Sequence, residues 1–126
     1  MHKFNKVLLV DDDKATNFLS GKVLKNLHIA GEIMMAEDGL IACDIINKGK
    51  CPDIIFLDIR MPRMDGFDFL ETLRDLDLCD HVKIVMLTTS MRSEDKERAL
   101  SYPHVIDYRE KPLTEEMIQQ IVKAHF

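Results

Sequence analysis

Two short apolar runs in this chain stop abruptly at aspartate. Val7-Leu8-Leu9-Val10 meets Asp11-Asp12-Asp13, and Ile54-Ile55-Phe56-Leu57 meets Asp58. Continuous runs of branched and leucine-rich side chains fit strands buried on both faces, as in a parallel sheet covered by helices. In such sheets ligands sit in the crevice beyond the carboxyl ends of the strands. If the two strands are neighbours, several negative charges converge there, and a cation is the obvious means of holding them together.

At 126 residues the chain is long enough for one domain with a proper core. Its apolar share of 46% and charged share of 31% are those of an ordinary soluble globular protein. The net charge of −5 and the dispersed Lys and Arg argue against direct binding of nucleic acid. No apolar stretch approaches the roughly 18 residues that span a bilayer, so no membrane insertion is expected. The opening Met1-His2-Lys3-Phe4-Asn5-Lys6 leads straight into a strand without a signal peptide, which points to a cytoplasmic protein. Cys43, Cys51 and Cys79 are odd in number and lack Cys-x-x-Cys spacing, so reduced thiols of a cytosolic protein are expected over a redox or zinc role.

Strands alternate with helices five times. A helix from about Ala15 to Leu27 carries Ala15, Phe18, Leu19, Val23 and Leu27 at helical spacing, and Asp13 or Lys14 lies near its start. A strand over about Glu32 to Ala36 leads through Glu37-Asp38-Gly39 into a helix with Ile41, Ala42, Ile45 and Ile46. After Ile54–Leu57 comes the breaker-rich loop Met61-Pro62-Arg63-Met64-Asp65-Gly66, then a helix with Phe67, Phe69, Leu70 and Leu73. Its phenylalanines, like the other helical Met and Phe positions, read as core.

Lys83–Leu87 is the fourth strand and ends in Thr88-Thr89-Ser90. The helix from about Ser93 to Leu100 is charged along most of its length, so it has few anchors and should be loosely held. The fifth strand, Val105 to Arg109, precedes Lys111-Pro112 and a last helix capped by Thr114, with Leu113 stapled to Ile118.

This alternation predicts a doubly wound five-stranded parallel sheet with right-handed crossovers and helices on both faces. The flavodoxin-like order 2-1-3-4-5 is the common one for five such units. It sets Asp11–Asp13 beside Asp58 and brings Thr88 and Lys111 to the same rim.

Leu8-Leu9-Val10-Asp11-Asp12-Asp13, Phe56-Leu57-Asp58-Ile59-Arg60-Met61-Pro62-Arg63-Met64-Asp65-Gly66, Val85-Met86-Leu87-Thr88 and Glu110-Lys111-Pro112 together resemble the receiver domain of bacterial two-component response regulators. The resemblance covers essentially the whole chain, 1–126, as a single receiver of the stand-alone type with no output domain. It implies a phosphoacceptor switch and not an enzyme, with at most self-catalysed phosphorylation and slow self-dephosphorylation. Asp58 would take a phosphoryl group from a sensor histidine kinase or a histidine phosphotransfer protein.

The same resemblance implies Mg²⁺ (or Mn²⁺) held by Asp12, Asp58 and the Arg60 backbone carbonyl, with Asp11 acting through water. Mg²⁺ takes oxygen ligands and keeps several waters, so a few protein ligands suffice. Lys111 would pair with a phosphoryl oxygen, and Thr88 would take another after transfer. Tyr108 stands where receivers carry a switch aromatic, and the face of the fourth helix, fifth strand and fifth helix would change shape for an unknown downstream protein. The first helix, with Asn17, Phe18, Ser20 and Gly21, is the implied kinase-docking surface, and Lys111-Pro112 is expected to be cis.

Each assignment has a plainer rival. Asp11–Asp13 could be a solvated cap, Thr88 an ordinary strand-end hydroxyl, Lys111 a surface lysine, and Tyr108 a tyrosine that never moves. Thr89 and Ser90 depart from the commonest receiver pattern, and Arg60 puts a cation at the mouth of the site. Among whole-protein alternatives, a haloacid-dehalogenase-like phosphatase needs Asp-x-Asp-x-Thr/Val, whereas Asp11-Asp12-Asp13-Lys14-Ala15 ends in alanine. A flavin mononucleotide carrier would find its phosphate repelled by three aspartates. A phosphorylation-independent interaction module of receiver fold is the nearer competitor.

Overall fold

The computed structural model of the chain describes residues 3–76 and 78–126. Apolar runs and helical stretches alternate as β1 (Phe4–Val10), α1 (Lys14–Asn26), β2 (Ala30–Ala36), α2 (Gly39–Asn47), β3 (Ile54–Leu57), α3 (Gly66–Asp75), β4 (Lys83–Thr88), α4 (Ser93–Leu100), β5 (Val105–Glu110) and α5 (Glu115–His125). All strand pairs are parallel and the order is β2-β1-β3-β4-β5, as expected. β1 begins three residues earlier than the apolar run alone indicates, because its first residue, Phe4, is itself buried.

Alternate strand residues feed two cores, as the two-residue period of a strand requires. Val7, Leu9, Ile54, Phe56, Val85 and Leu87 pack with Leu24 of α1 and Ile118 and Ile121 of α5. Leu8, Val10, Ile55, Leu57, Ile84 and Met86 pack on the other face with α2 and α3 side chains, including Ile46, Phe69 and Leu70. Thr114 caps α5 by accepting from Met117 N–H, and Leu113 and Ile118 are buried in one cluster. α4 buries Ala99 alone, in keeping with its charged sequence.

Two expectations are corrected. The apolar stripe of α1 does not face the sheet as a whole: Phe18 and Leu19 are 59% and 61% exposed, and Ala15 is exposed too. The buried face is Asn17, Ser20, Gly21 and Leu24, with Val23 and Leu27 at its edge. The reason is close approach. A Cβ on Gly21 would lie 3.0 Å from Met35 Cε, so small residues let the helix settle on β1 and β2. Meanwhile Asn17 Nδ2 donates to the Asp11 carbonyl at 2.9 Å.

The second correction concerns the cysteines. Cys51 and Cys79 form a disulfide with Cα atoms 5.4 Å apart, and only Cys43 is free. β3 and β4 are parallel neighbours, so their starts lie at the same end of the sheet and residues just ahead of them meet despite a separation of 28 in sequence.

The packing of α1 is open to measurement. Leu24→Ala should cost about 2–5 kcal/mol in urea unfolding, the loss expected for a buried leucine. Phe18→Ala should stay within about 0.5 kcal/mol of the parent. Reversed values would restore the apolar stripe as the packing face.

Candidate phosphoacceptor site

The register of the sheet assembles the site. Val10 pairs with Leu57, so the next residues, Asp11 and Asp58, leave adjacent strands side by side. Leu57 also pairs with Met86, which places Thr88 at the end of β4 one residue beyond the level of Asp58. Asp11, Asp12 and Asp58 each offer a carboxylate oxygen, and all three lie within 4.8 Å of one another. Asp11 and Asp58 are buried and Asp12 is exposed.

A cation holds this crowd together. Lys111 Nζ lies 2.5 Å from Asp11 Oδ2 and 3.0 Å from Asp58 Oδ2. Lys111 follows β5, its N–H donates to the Thr88 carbonyl at 3.0 Å, and its peptide bond to Pro112 is cis, as expected. Burial alone would lower the lysine's pKa, but the two carboxylates outweigh it and hold the ammonium above its ordinary range. Burial pushes the Asp11 carboxyl up, and the Asp58 charge adds to this, against hydrogen bonds from Lys111 and the Asp13 N–H.

Backbone contacts aim the carboxylates. Asp58 Oδ1 accepts from Ile59 N–H at 2.8 Å, and Asp11 Oδ1 accepts from Asp13 N–H at 2.9 Å. Asp13 does not join the cluster. It caps α1, accepting from Ala15 N–H and the Thr16 hydroxyl at 3.0 Å each, and these bonds, that of Thr16 foremost, lower its pKa.

The loop after Asp58 folds back sharply, and Gly66 permits it. Gly66 N–H donates to the Ile59 carbonyl at 2.7 Å, and a Cβ at Gly66 would collide with the Asp58 carbonyl. Asp65 then opens α3 with a capping box to Asp68. Arg60 is exposed and pairs with no carboxylate among the described residues.

Thr88 is buried, and its hydroxyl accepts from Ser90 N–H at 3.2 Å. Ser90 joins two further elements. Its carbonyl accepts from the Tyr108 hydroxyl at 2.7 Å, and its own hydroxyl donates to Asp95 of α4 at 2.6 Å. The Tyr108 ring is buried, and burial raises the phenol pKa despite the bond to Ser90. Thr89, beside this chain of bonds, is exposed.

Three residues take supporting roles that their sequence positions did not reveal. Asn17 holds the Asp11 carbonyl. Asp38 caps α2 through Ile41 N–H and accepts from Arg63 Nε at 2.7 Å, joining the β2–α2 turn to the loop after Asp58. Arg63 itself takes a φ of 64°, a left-handed conformation that this pairing helps hold. The signal for Asp38 was its position ahead of Gly39-Leu40-Ile41, where a helix cap belongs.

The response regulator receiver domain profile matches residues 7–123. The chain belongs to this family. It is 31% identical to the probable methanogenesis regulatory protein FilR2 of Methanothrix harundinacea, over 93% of this chain and 78% of that protein. It is 30% identical to the sensor histidine kinase CheAY of Helicobacter pylori over 93% of this chain, but spans 14% of that kinase. It spans only 7% of hybrid signal transduction histidine kinase B of Dictyostelium discoideum, at 34% identity over 98% of this chain.

Among solved structures, a two-component response regulator from Cytophaga hutchinsonii superposes with a TM-score of 0.88 at 27% identity, covering 98% of this receiver and 97% of that chain. The chemotaxis protein CheY4 of Vibrio cholerae superposes with a TM-score of 0.82, also at 27% identity, covering 97% and 98%. No helix among the described residues of the receiver is long and apolar enough to cross a membrane.

The Asp38–Arg63 contact predicts a pH dependence. Burial raises the Asp38 pKa, but hydrogen bonds from Ile41 N–H and Arg63 prevail and hold it below its ordinary 3.8. A depressed carboxyl stabilises the fold fully above its unfolded pKa, and the benefit drains away as pH falls through the lower folded value. Arg63→Ala should therefore lower the urea midpoint at neutral pH and shift acid unfolding to higher pH by circular dichroism. The difference from the parent should vanish at the acid extreme.

Proposed function

We propose that this receiver is a phosphoacceptor switch in which Asp58 takes a phosphoryl group from a phosphohistidine on a sensor histidine kinase or histidine phosphotransfer protein. The observation that supports it most is the Lys111 ammonium shared between Asp11 and Asp58, since neighbouring buried carboxylates call for positive charge. The same demand fits a divalent cation, with Asp11, Asp12, Asp58 and the Arg60 backbone carbonyl as the groups that would hold Mg²⁺ or Mn²⁺. Such a cation, when bound, offsets the repulsion between an attacking carboxylate and an anionic phosphoryl group.

In the transfer an Asp58 carboxylate oxygen forms a bond to phosphorus, and the nitrogen–phosphorus bond of the donor breaks. The electron pair stays on the donor imidazole, which takes up a proton. Lys111 turns from the free carboxylates to a phosphoryl oxygen, and the Thr88 hydroxyl turns from Ser90 N–H to another. Because Ser90 also holds Tyr108 and Asp95, that exchange bears on α4 and β5, the face that meets a downstream protein. Self-dephosphorylation is slow, and Arg60, at the mouth of the site, lengthens the phosphorylated lifetime. Of the α1 residues expected to dock the donor protein, Asn17, Ser20 and Gly21 are buried, which leaves the exposed Phe18 near the rim to serve it, and the setting is cytoplasmic.

Incubation with Mg²⁺ and acetyl phosphate should add one phosphoryl mass to the protein, mapped by mass spectrometry to Asp58. Asp58→Asn and omission of the cation should both abolish it. Continuous release of phosphate over many turnovers would point instead to a phosphatase, and no labelling at all to a phosphorylation-independent interaction module.

For Arg60→Ala, decay of the labelled protein should be several-fold faster than in the parent. An unchanged decay rate removes Arg60 from the mechanism.

A further inference from the structure

The end of the sheet opposite Asp58 carries a feature that phosphoryl transfer does not use. Cys51 precedes β3 and Cys79 precedes β4, and their Cα separation of 5.4 Å falls inside the range disulfides require. Cys51 is exposed and Cys79 half-buried, and a cleft lined also by Asp53, Asp80 and His81 opens beside them. Cys43 differs in every respect. It is buried, its sulfur lies 3.8 Å from Met64 Sδ, and burial raises its pKa.

The segment that Cys51 anchors organises three strands. Two residues on, Asp53 donates its N–H to the Lys6 carbonyl at 2.9 Å and accepts from Lys83 N–H at 3.1 Å. Its carboxylate also accepts from the N–H groups of Asn5 and Lys6. On the other side, Cys79 sits at a φ of 56°, a conformation costly for a residue with a Cβ, and its carbonyl accepts from Val82 N–H at 3.1 Å. The bridge ties these two segments together and closes a loop containing all of β3 and α3. β3, roughly 13 Å long, separates it from Asp58.

We propose that Cys51 and Cys79 are a reversible thiol–disulfide site, opened by dithiol reductants and closed by disulfide oxidants, which sets the stability of the receiver from the end of the sheet remote from Asp58. In the opening direction a reductant thiolate attacks one bridge sulfur, the Cys51–Cys79 bond breaks and a mixed disulfide forms. The second thiol of the reductant then displaces the remaining cysteine. The dithiol gives up two electrons and two protons and becomes its own disulfide, and Cys51 and Cys79 take them up as thiols. Closure by oxidised glutathione runs the same exchange in reverse and releases two molecules of reduced glutathione. This site operates whether or not Asp58 is phosphorylated.

The test uses the full chain, equilibrated in oxidised glutathione or in dithiothreitol, followed by peptide mapping without reduction and by thermal unfolding. In oxidised glutathione the peptide carrying Cys51 should be joined to that carrying Cys79, with Cys43 unmodified. Dithiothreitol should remove the link and lower the Tm by roughly 10 °C, the shift that loop-closure entropy implies for a domain of this size. Cys51→Ser, an exposed substitution, should melt at the reduced value in both buffers, whereas Cys43→Ala should keep the full shift between them. The proposal is overturned by a map without the Cys51–Cys79 link, by equal Tm values in the two buffers, or by a shift that survives Cys51→Ser.

Discussion

The ammonium of Lys111, set between Asp11 and Asp58, is the contact on which the upper rim of this receiver depends. Two carboxylates at the ends of adjacent buried strands repel each other, and burial raises the cost of each charge. A lysine brought in from the far side of the sheet supplies the missing counter-charge. β1, β3 and β5 thus share one electrostatic problem with one solution. Because the parallel register alone makes Asp11 and Asp58 neighbours, the sheet and the charge cluster stand or fall together.

Around that contact the chain relies on backbone geometry more than on side-chain bulk. Gly66 lets the loop after Asp58 return against the Asp58 carbonyl, Asn17 holds the Asp11 carbonyl, and Asp38 holds Arg63 of the loop after Asp58. Such supporting contacts fix where the Asp11 and Asp58 carboxylates point. The two ends of the sheet therefore differ in kind. One gathers like charges that disfavour folding, and the other carries a covalent bridge with the partly exposed hydrogen bonds of Asp53 beside it.

Much of this was legible in the sequence, and the boundary has a physical cause. Polar residues that interrupt apolar runs mark strand ends whatever the rest of the fold does, so Asp11, Asp58, Thr88 and Lys111 could be set on one rim once the strand order was assumed. The cap at Thr114 and the weakness of α4 are equally local. The orientation of α1 is not local. Its apolar spacing and its buried face share the same period, and what separates them is the Asp11 carbonyl that Asn17 must satisfy. The pairing of Cys51 with Cys79 and of Asp38 with Arg63 likewise arises from crossovers that bring distant segments together.

α4 gives the core a single buried side chain, Ala99, and otherwise rests on peripheral contacts such as Ser90 with Asp95 and Arg98 over the Phe67 ring. A helix so little committed to the interior leaves most of its surface free of folding constraint. Its exposed positions can be exchanged with small effect on stability, as is usual for surface residues away from caps and cores. The outer face of α4 can then diverge in evolution while the five-stranded scaffold and its carboxylate cluster stay as they are.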